Sequence, residues 1–334
     1  MAPGRRRDPS SRFKYLLFRF NTAMEKELLT RSVINVLREA GFLVSSMCDI
    51  RPRSFDLAAR REELLLLLKI LSNIDGLNER TAREITRLAG HLLGQPLIVG
   101  EKTRDQMLER GAVYYRYGVP TVSLPTLADY LLGGIPPLVY AAHGGLYVKI
   151  DGEMLQRLRI ERGISIGELA AELGVSRRTV SKYESESMDT SIDIALKLEE
   201  IFQEELIQAV DIFRQRFVEE ATTEVKDSIL RRLVEIGLRV FPISQAPFNA
   251  ITRDEDMVVL TGVSRLTTGM IKRARLMSSL SSVTLTHSAL IVDGETKIDR
   301  IERTAVIGRK EIEKIDSRKD FADLLMTRRE SSAY

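Results

Sequence analysis

The chain has 334 residues, 44% of them hydrophobic and 29% charged, the proportions of a globular protein with room for two or three separate cores. A formal net charge of only +3 makes bulk attraction to a polyanion weak, so any affinity for nucleic acid has to come from local placement of charge. The single cysteine, Cys48, excludes an internal disulfide and a cysteine zinc site, and the longest apolar run, Leu64 to Leu68, falls far short of the roughly 18 residues of a membrane span, so a cytoplasmic chain without membrane contact is expected.

Residues 1–23 place Arg5, Arg6 and Arg7 among Pro, Gly and Ser without any periodic pattern, and read as a basic tail, with Met24 as an alternative start. From Glu25 to Ala40 the apolar positions Leu28, Leu29, Val33, Val36 and Leu37 recur at helical spacing, and Gly41 suits the stop. Two strands are expected near Phe55–Ala58 and Leu64–Leu71, with Arg60, Arg61 and Glu62 as the polar turn. A helix at about Asn78–Leu93, strands at Leu97–Gly100 and near Val113–Tyr117, and a short helix around Thr126–Leu132 complete a domain spanning 24–136. Gly133, Gly134, Pro136 and Pro137 mark its end, and 137–152 reads as a linker carrying a small hairpin around Leu146–Ile150.

A helical domain is expected over 153–208 and a second α/β domain over 209–334. The second resembles the first. RSVINVLREAGF from Arg31 is echoed by DSILRRLVEIGL from Asp227, FDLAARREELLLLLK from Phe55 by FNAITRDEDMVVLTG from Phe248 without gaps, and LADYLL at Leu127 by FADLLM at Phe321. Similar order in three segments predicts two copies of one unit flanking the central helices.

The most specific signal is MLQRLRIERGISIGELAAELGVSRRTVSKYE, from Met154 to Glu184. Gly163 ends a first helix. Ser165 with Glu168 forms a capping box for a second, small Ala170 sits where two helices cross, and Gly174 supplies the tight turn. Ser176 caps a third helix, whose Val180 and Tyr183 face inward. Arg177, Arg178, Thr179, Ser181 and Lys182 are left outside, with Arg178 and Lys182 projecting together. Arginine suits the guanine edge, while Ser176 and Thr179 at the helix start suit phosphate. The alternative for such a face is a solvated surface helix, which the ordered succession of caps, small residue and turn disfavours. Double-stranded DNA is therefore the expected partner, read by residues 165–185.

SIGELAAELGVSRRTVSKYE resembles the Cro/repressor helix-turn-helix, whose pattern has Gln where Gly167 stands; that departure is expected to cost a backbone-phosphate contact. Ile192, Ala195, Leu196, Leu198 and Ile201 resemble the later helices that close that domain's core. From about Met24 the chain is similar to an archaeal family of helix-turn-helix transcriptional regulators, on the segments CDIRPRSFDLAAR, LKILSNID, IVGEKTRD and IPPLVYAA. The resemblance implies a regulator, and a homodimer is expected because one module buries little surface on DNA.

Residues 25–132 resemble the PD-(D/E)xK nuclease fold, also used by archaeal Holliday-junction resolvases. That chemistry needs an Asp on one strand and Glu-x-Lys on the next. Asp56 and Lys69 fit, but Leu67 stands at the Glu position; in the second copy Asn249, Leu260 and Gly262 replace all three. Glu63 or Glu101 could substitute in principle. The expectation is no catalysis, no cofactor and no metal, with Asp56 and Lys69 as an ion pair or a remnant. His91, His143 and His287 have no ligand spacing. A structure-selective nuclease, or an adaptor whose flanking domain binds an effector, are the competing readings.

Overall fold

The computed structural model describes residues 25–214, 224–255, 257–294 and 296–330. The basic tail expected at 1–23 lies outside them. The described chain forms two compact units. One holds the residues up to Ser32, Leu71–Asp75 and Ile98–Arg214; the other holds Val33–Ile70, Gly76–Leu97 and the residues after Arg214.

Helix α1 (25–39) buries Leu29, Val33 and Leu37 and stops at Gly41, whose φ of 82° needs no Cβ. Strand β1 (Leu43–Val44) pairs antiparallel with β2 (Leu57–Arg61), and β2 with β3 (Leu64–Asn73). Leu57, Ala58 and Ala59 of β2 and Leu65–Leu68 of β3 are buried without alternation, the pattern of strands covered on both faces. Arg60 and Arg61, expected in the turn, instead pair with Leu65 and Leu64, and the turn falls on Glu62, at φ 53°, and Glu63. Asn78 caps α2 (Glu79–His91) by accepting the Thr81 N–H.

Within the other unit, β4 (Gln95–Lys102) runs parallel to β6 (Val119–Ser123), which pairs antiparallel with β5 (Ala112–Arg116). Strand β6 was not anticipated: the hairpin turn at Tyr117 and Gly118, both at positive φ, carries a Pro120 inside the returning strand. Helix α3 (Leu124–Gly133) follows directly. The segment 137–152 folds into β7 (Val139–Ala142) and β8 (Gly145–Ile150). β7 lies parallel to β5, and β8 pairs with β9 (Thr190–Ser191) and β10 (Ile207–Gln208). Between these strands lie four helices: α4 (Gly152–Glu161), α5 (Ile166–Leu173), α6 (Arg177–Glu184) and α7 (Ile192–Phe202).

The C-terminal part begins with α8 (Ser228–Glu235), capped by Asp227, and β11 (Arg239–Pro242). Strands β12 (Ala250–Arg253), β13 (Val258–Arg265), β14 (His287–Asp293), β15 (Arg300–Ile301) and β16 (Thr304–Gly308) complete a six-stranded sheet in the order β11-β12-β13-β14-β16-β15. Helices α9 (Thr268–Thr284), α10 (Arg309–Glu313) and α11 (Arg318–Glu330) accompany it. Its core includes Leu233, Val259, Ile291, Ile307, Phe321 and Leu325.

The hairpins β2–β3 and β12–β13 share one register. Leu57 faces Leu68 and Arg60 faces Leu65; at a constant offset, Ala250 faces Thr261 and Arg253 faces Val258. The two α/β segments also pack together through matching contacts. Arg60 Nε donates to the carbonyl of Val283 at 2.8 Å, at the end of α9, while Arg253, its counterpart, donates to the carbonyl of His91 at the end of α2. A cation at a helix C-terminus satisfies orphan carbonyls and meets the negative end of the dipole. The Ser54 N–H and hydroxyl donate to the Gln245 carbonyl, and the His91 ring lies tilted against Phe241, centroids 4.4 Å apart.

Candidate nucleic-acid interface

Helix α4 starts at Asp151, whose carboxylate accepts the Met154 N–H at 2.8 Å. Its first residue, Gly152, is buried against the end of α6. A Cβ there would lie 2.4 Å from the Tyr183 carbonyl oxygen, so only glycine permits this approach. Helix α5 has the full capping box: Ser165 Oγ accepts the Glu168 N–H at 3.1 Å and Glu168 Oε2 accepts the Ser165 N–H at 2.8 Å. These donors hold the Glu168 carboxyl below its ordinary range. Gly174, at φ 71°, turns the chain into α6, which Ser176 caps by accepting the Thr179 N–H at 3.1 Å.

Burial sorts α6 into two faces. Val180 and Tyr183 are 0% and 4% exposed, packed with Leu155, Leu169 and Ala170. Arg177, Arg178, Ser181 and Lys182 are exposed, as is Ser176, with Thr179 half-buried. The six residues read from the sequence thus occupy one helix and its cap. All three of their hydroxyls have internal partners: Ser176 Oγ and Thr179 Oγ1 lie 2.8 Å apart, and Ser181 Oγ donates to the Arg177 carbonyl at 3.2 Å. Arg178 and Lys182 stand exposed on successive turns of the helix.

Two features of the module are absent from the sequence reading. Arg159 of α4 and Glu184 of α6 form a buried two-pronged pair, Nε–Oε1 2.5 Å and Nη2–Oε2 3.1 Å. It locks the end of the outward-facing helix to the first one. Arg162 donates to the carbonyls of Ile201 and Phe202 at the end of α7 and lies over the Phe202 ring. The helical spacing of Arg159 and Arg162 gave no sign of either, because their partners lie 25 or more residues away. A correction concerns Leu196, expected in the core: it is 53% exposed, and the core is closed by Ala195, Leu198 and Phe202 of the single helix α7, with Val148 and Ile150 of β8.

The nuclease-like residues are already bonded to one another and to the backbone. Asp56 is fully buried, accepts the Ile70 N–H at 2.8 Å and meets Arg53 Nε at 2.9 Å; Lys69 Nζ is farther, at 3.8 Å, and donates to the Arg53 carbonyl at 3.2 Å. Arg53, not Lys69, is thus its nearer cation. Leu67 is fully buried. A lone carboxylate already bonded to a guanidinium is a poor donor set for a hard dication, and these residues do not fit one. Among the described residues no group of three or more His, Cys, Asp or Glu is placed to hold a metal ion. In the C-terminal hairpin Asn249 repeats the framework: its Oδ1 accepts the Val263 N–H at 2.7 Å and an Arg273 N–H at 2.8 Å.

Comparison with known proteins places this geometry in a wider setting. Residues 26–137 match the model of a PD-(D/E)XK superfamily domain, and residues 155–207 that of a helix-turn-helix. Full-length relatives bear the name "Putative HTH-type transcriptional regulatory protein". One from Methanosarcina barkeri is 48% identical over 323 residues, covering 92% of this chain and 99% of the relative. One from Methanococcoides burtonii is 48% identical over 316 residues, covering 91% and 98%. One from Natronomonas pharaonis is 43% identical over 320 residues, covering 92% and 100%. No solved structure matches the chain. No helix among the described residues is long and apolar enough to cross a membrane.

Proposed function

The chain belongs to this family of archaeal HTH-type transcriptional regulatory proteins, and we propose that it controls transcription by laying α6 in the major groove of double-stranded DNA. The observation that carries the reading is the division of α6: Val180 and Tyr183 are buried, while Arg178 and Lys182 stand exposed on one side. Arg178, near the N-terminus of the helix, and Lys182 one turn later are the base readers; Ser176, Arg177, Thr179 and Ser181 line the approach of the backbone.

Around this Cro/repressor-like module, the α/β segments act as scaffold rather than as a nuclease. The Arg53–Asp56 pair and the buried Leu67 support a non-catalytic role. We read the two α/β segments as a duplication, with 24–136 and 209–334 as the copies around a module at 153–208. The shared hairpin register and the reciprocal arginine contacts support that reading. A cytoplasmic homodimer, presenting two modules about one helical turn apart, would suit a near-palindromic operator.

Immunoprecipitation of bound DNA supplies the operator, and footprinting titration then tests the assignment. Arg178→Ala and Lys182→Ala should each weaken specific binding, Arg178→Ala by about 1–3 kcal/mol, with melting behaviour unchanged. Wild-type operator affinity in both variants refutes the assignment.

A further inference from the structure

Gly167 lies in the first turn of α5, and the side chain of Arg177, from α6, lies against it. A Cβ built on Gly167 would stand 3.0 Å from Arg177 Nε, 3.1 Å from Nη2 and 3.2 Å from Cζ. The guanidinium thus lies over the start of α5 and occupies the space that a side chain at 167 would claim. Its φ is not in the left-handed region, and the three atoms nearest the missing Cβ all belong to the Arg177 side chain. In a helix, glycine costs up to about 1 kcal/mol relative to alanine. The contact also separates Arg177 from its neighbour Arg178, although both are exposed and adjacent in sequence.

We propose that Arg177 is a phosphate-binding residue seated by Gly167, and not a base reader. The inference rests on the DNA reading above. When a recognition helix enters the major groove, the helix before it crosses the sugar-phosphate backbone. A guanidinium lying over the first turn of α5 is therefore carried to that backbone. Its planar fork matches two phosphate oxygens. The nearby Glu168 carboxylate keeps its charge through the capping box, so a phosphate approaching this turn meets repulsion unless a cation stands beside it. Arg177 supplies that cation. The phosphate contact expected to be lost with the side chain at 167 is supplied from the next helix.

A phosphate contact is blind to sequence, so the test needs no operator. The full-length protein is titrated by fluorescence anisotropy against a labelled pool of random 24-base-pair duplexes at a series of salt concentrations. The variants are Arg177→Ala, Gly167→Ala and their combination. Gly167→Ala pushes aside only the flexible end of Arg177 and favours the helix. It should raise or preserve the melting temperature and still weaken DNA binding, an outcome a purely structural role would not give. Each single variant should flatten the slope of log K against log salt by about one unit. Between 50 and 200 mM salt, the ratio of wild-type to variant affinity should then shrink about 3.5-fold. The double variant should be no weaker than Arg177→Ala alone. Wild-type slopes in either single variant, or additive losses in the double, overturn the seating of Arg177 while leaving the DNA reading intact. Failure of the wild-type protein to bind any duplex overturns both.

Discussion

Glu184→Leu should be the most damaging single change in the helical module. The Arg159 and Glu184 side chains are only 10% and 5% exposed, and the carboxylate takes two of the guanidinium's hydrogen bonds. Without it, Arg159 keeps the Ile164 carbonyl as an acceptor at 3.1 Å, and a buried cation is left uncompensated. Breaking such a pair from one side costs about 3–5 kcal/mol. Local opening of α6 would become roughly 150- to 5,000-fold more frequent. Hydrogen exchange by mass spectrometry, on peptides covering α4 and α6 of the full chain, reads this directly. The double replacement Arg159→Met, Glu184→Leu removes both charges and should restore most of the protection, because matched apolar residues often equal or exceed a buried pair. Protection in Glu184→Leu within about tenfold of wild type, or a double variant as labile as the single, would refute this account.

Two further outcomes concern the α/β segments. Asp56→Ala should destabilise its unit strongly, since Arg53 loses its nearest anion and the Ile70 N–H its acceptor. Asp56→Asn should be milder, because Asn249 holds the matching N–H of Val263 with an amide oxygen; equal thermal destabilisation by the two changes would show that the carboxylate's charge, not its geometry, dominates. Burial, and then Arg253 and Arg87, press the His91 imidazole down to about 4. The unfolded chain takes up this proton near pH 6.5, so between pH 6.5 and 4 it binds more protons than the folded form, and stability falls as the pH is lowered through that window. His91→Gln should flatten this fall in melting temperature, and an unchanged slope would remove His91 as its source.

The helical module was legible because its signals are local. Ser165, Glu168, Gly174 and Ser176 act within a few residues of themselves, and burial of Val180 and Tyr183 follows from their spacing. The hairpins at Phe55 and Phe248 are alike in sequence without gaps, and their registers match at a constant offset. The contacts that escaped join distant segments. Arg60 and Arg253 look like ordinary turn residues, since nothing in their neighbourhood announces a helix end elsewhere in the chain. Arg53 lies three residues from Asp56, yet a nuclease-like pattern directs attention to Lys69. Gly167 reads as a lost side chain until Arg177 is seen lying over it. Strand β6 was missed because Pro120 argues against a strand interior.

The way the helical module is mounted has a mechanical consequence. The chain enters the module from β8 and leaves it into β10, and both β9 and β10 bond back to β8. Its two ends are stitched to a single ribbon of backbone, so the register of these short pairings bears on the placement of α6. A single-residue insertion between Ile150 and Asp151 would not merely lengthen a tether. It would rotate the whole head relative to the strand that carries it, so spacing at this junction should tolerate no change even where residue identity is free.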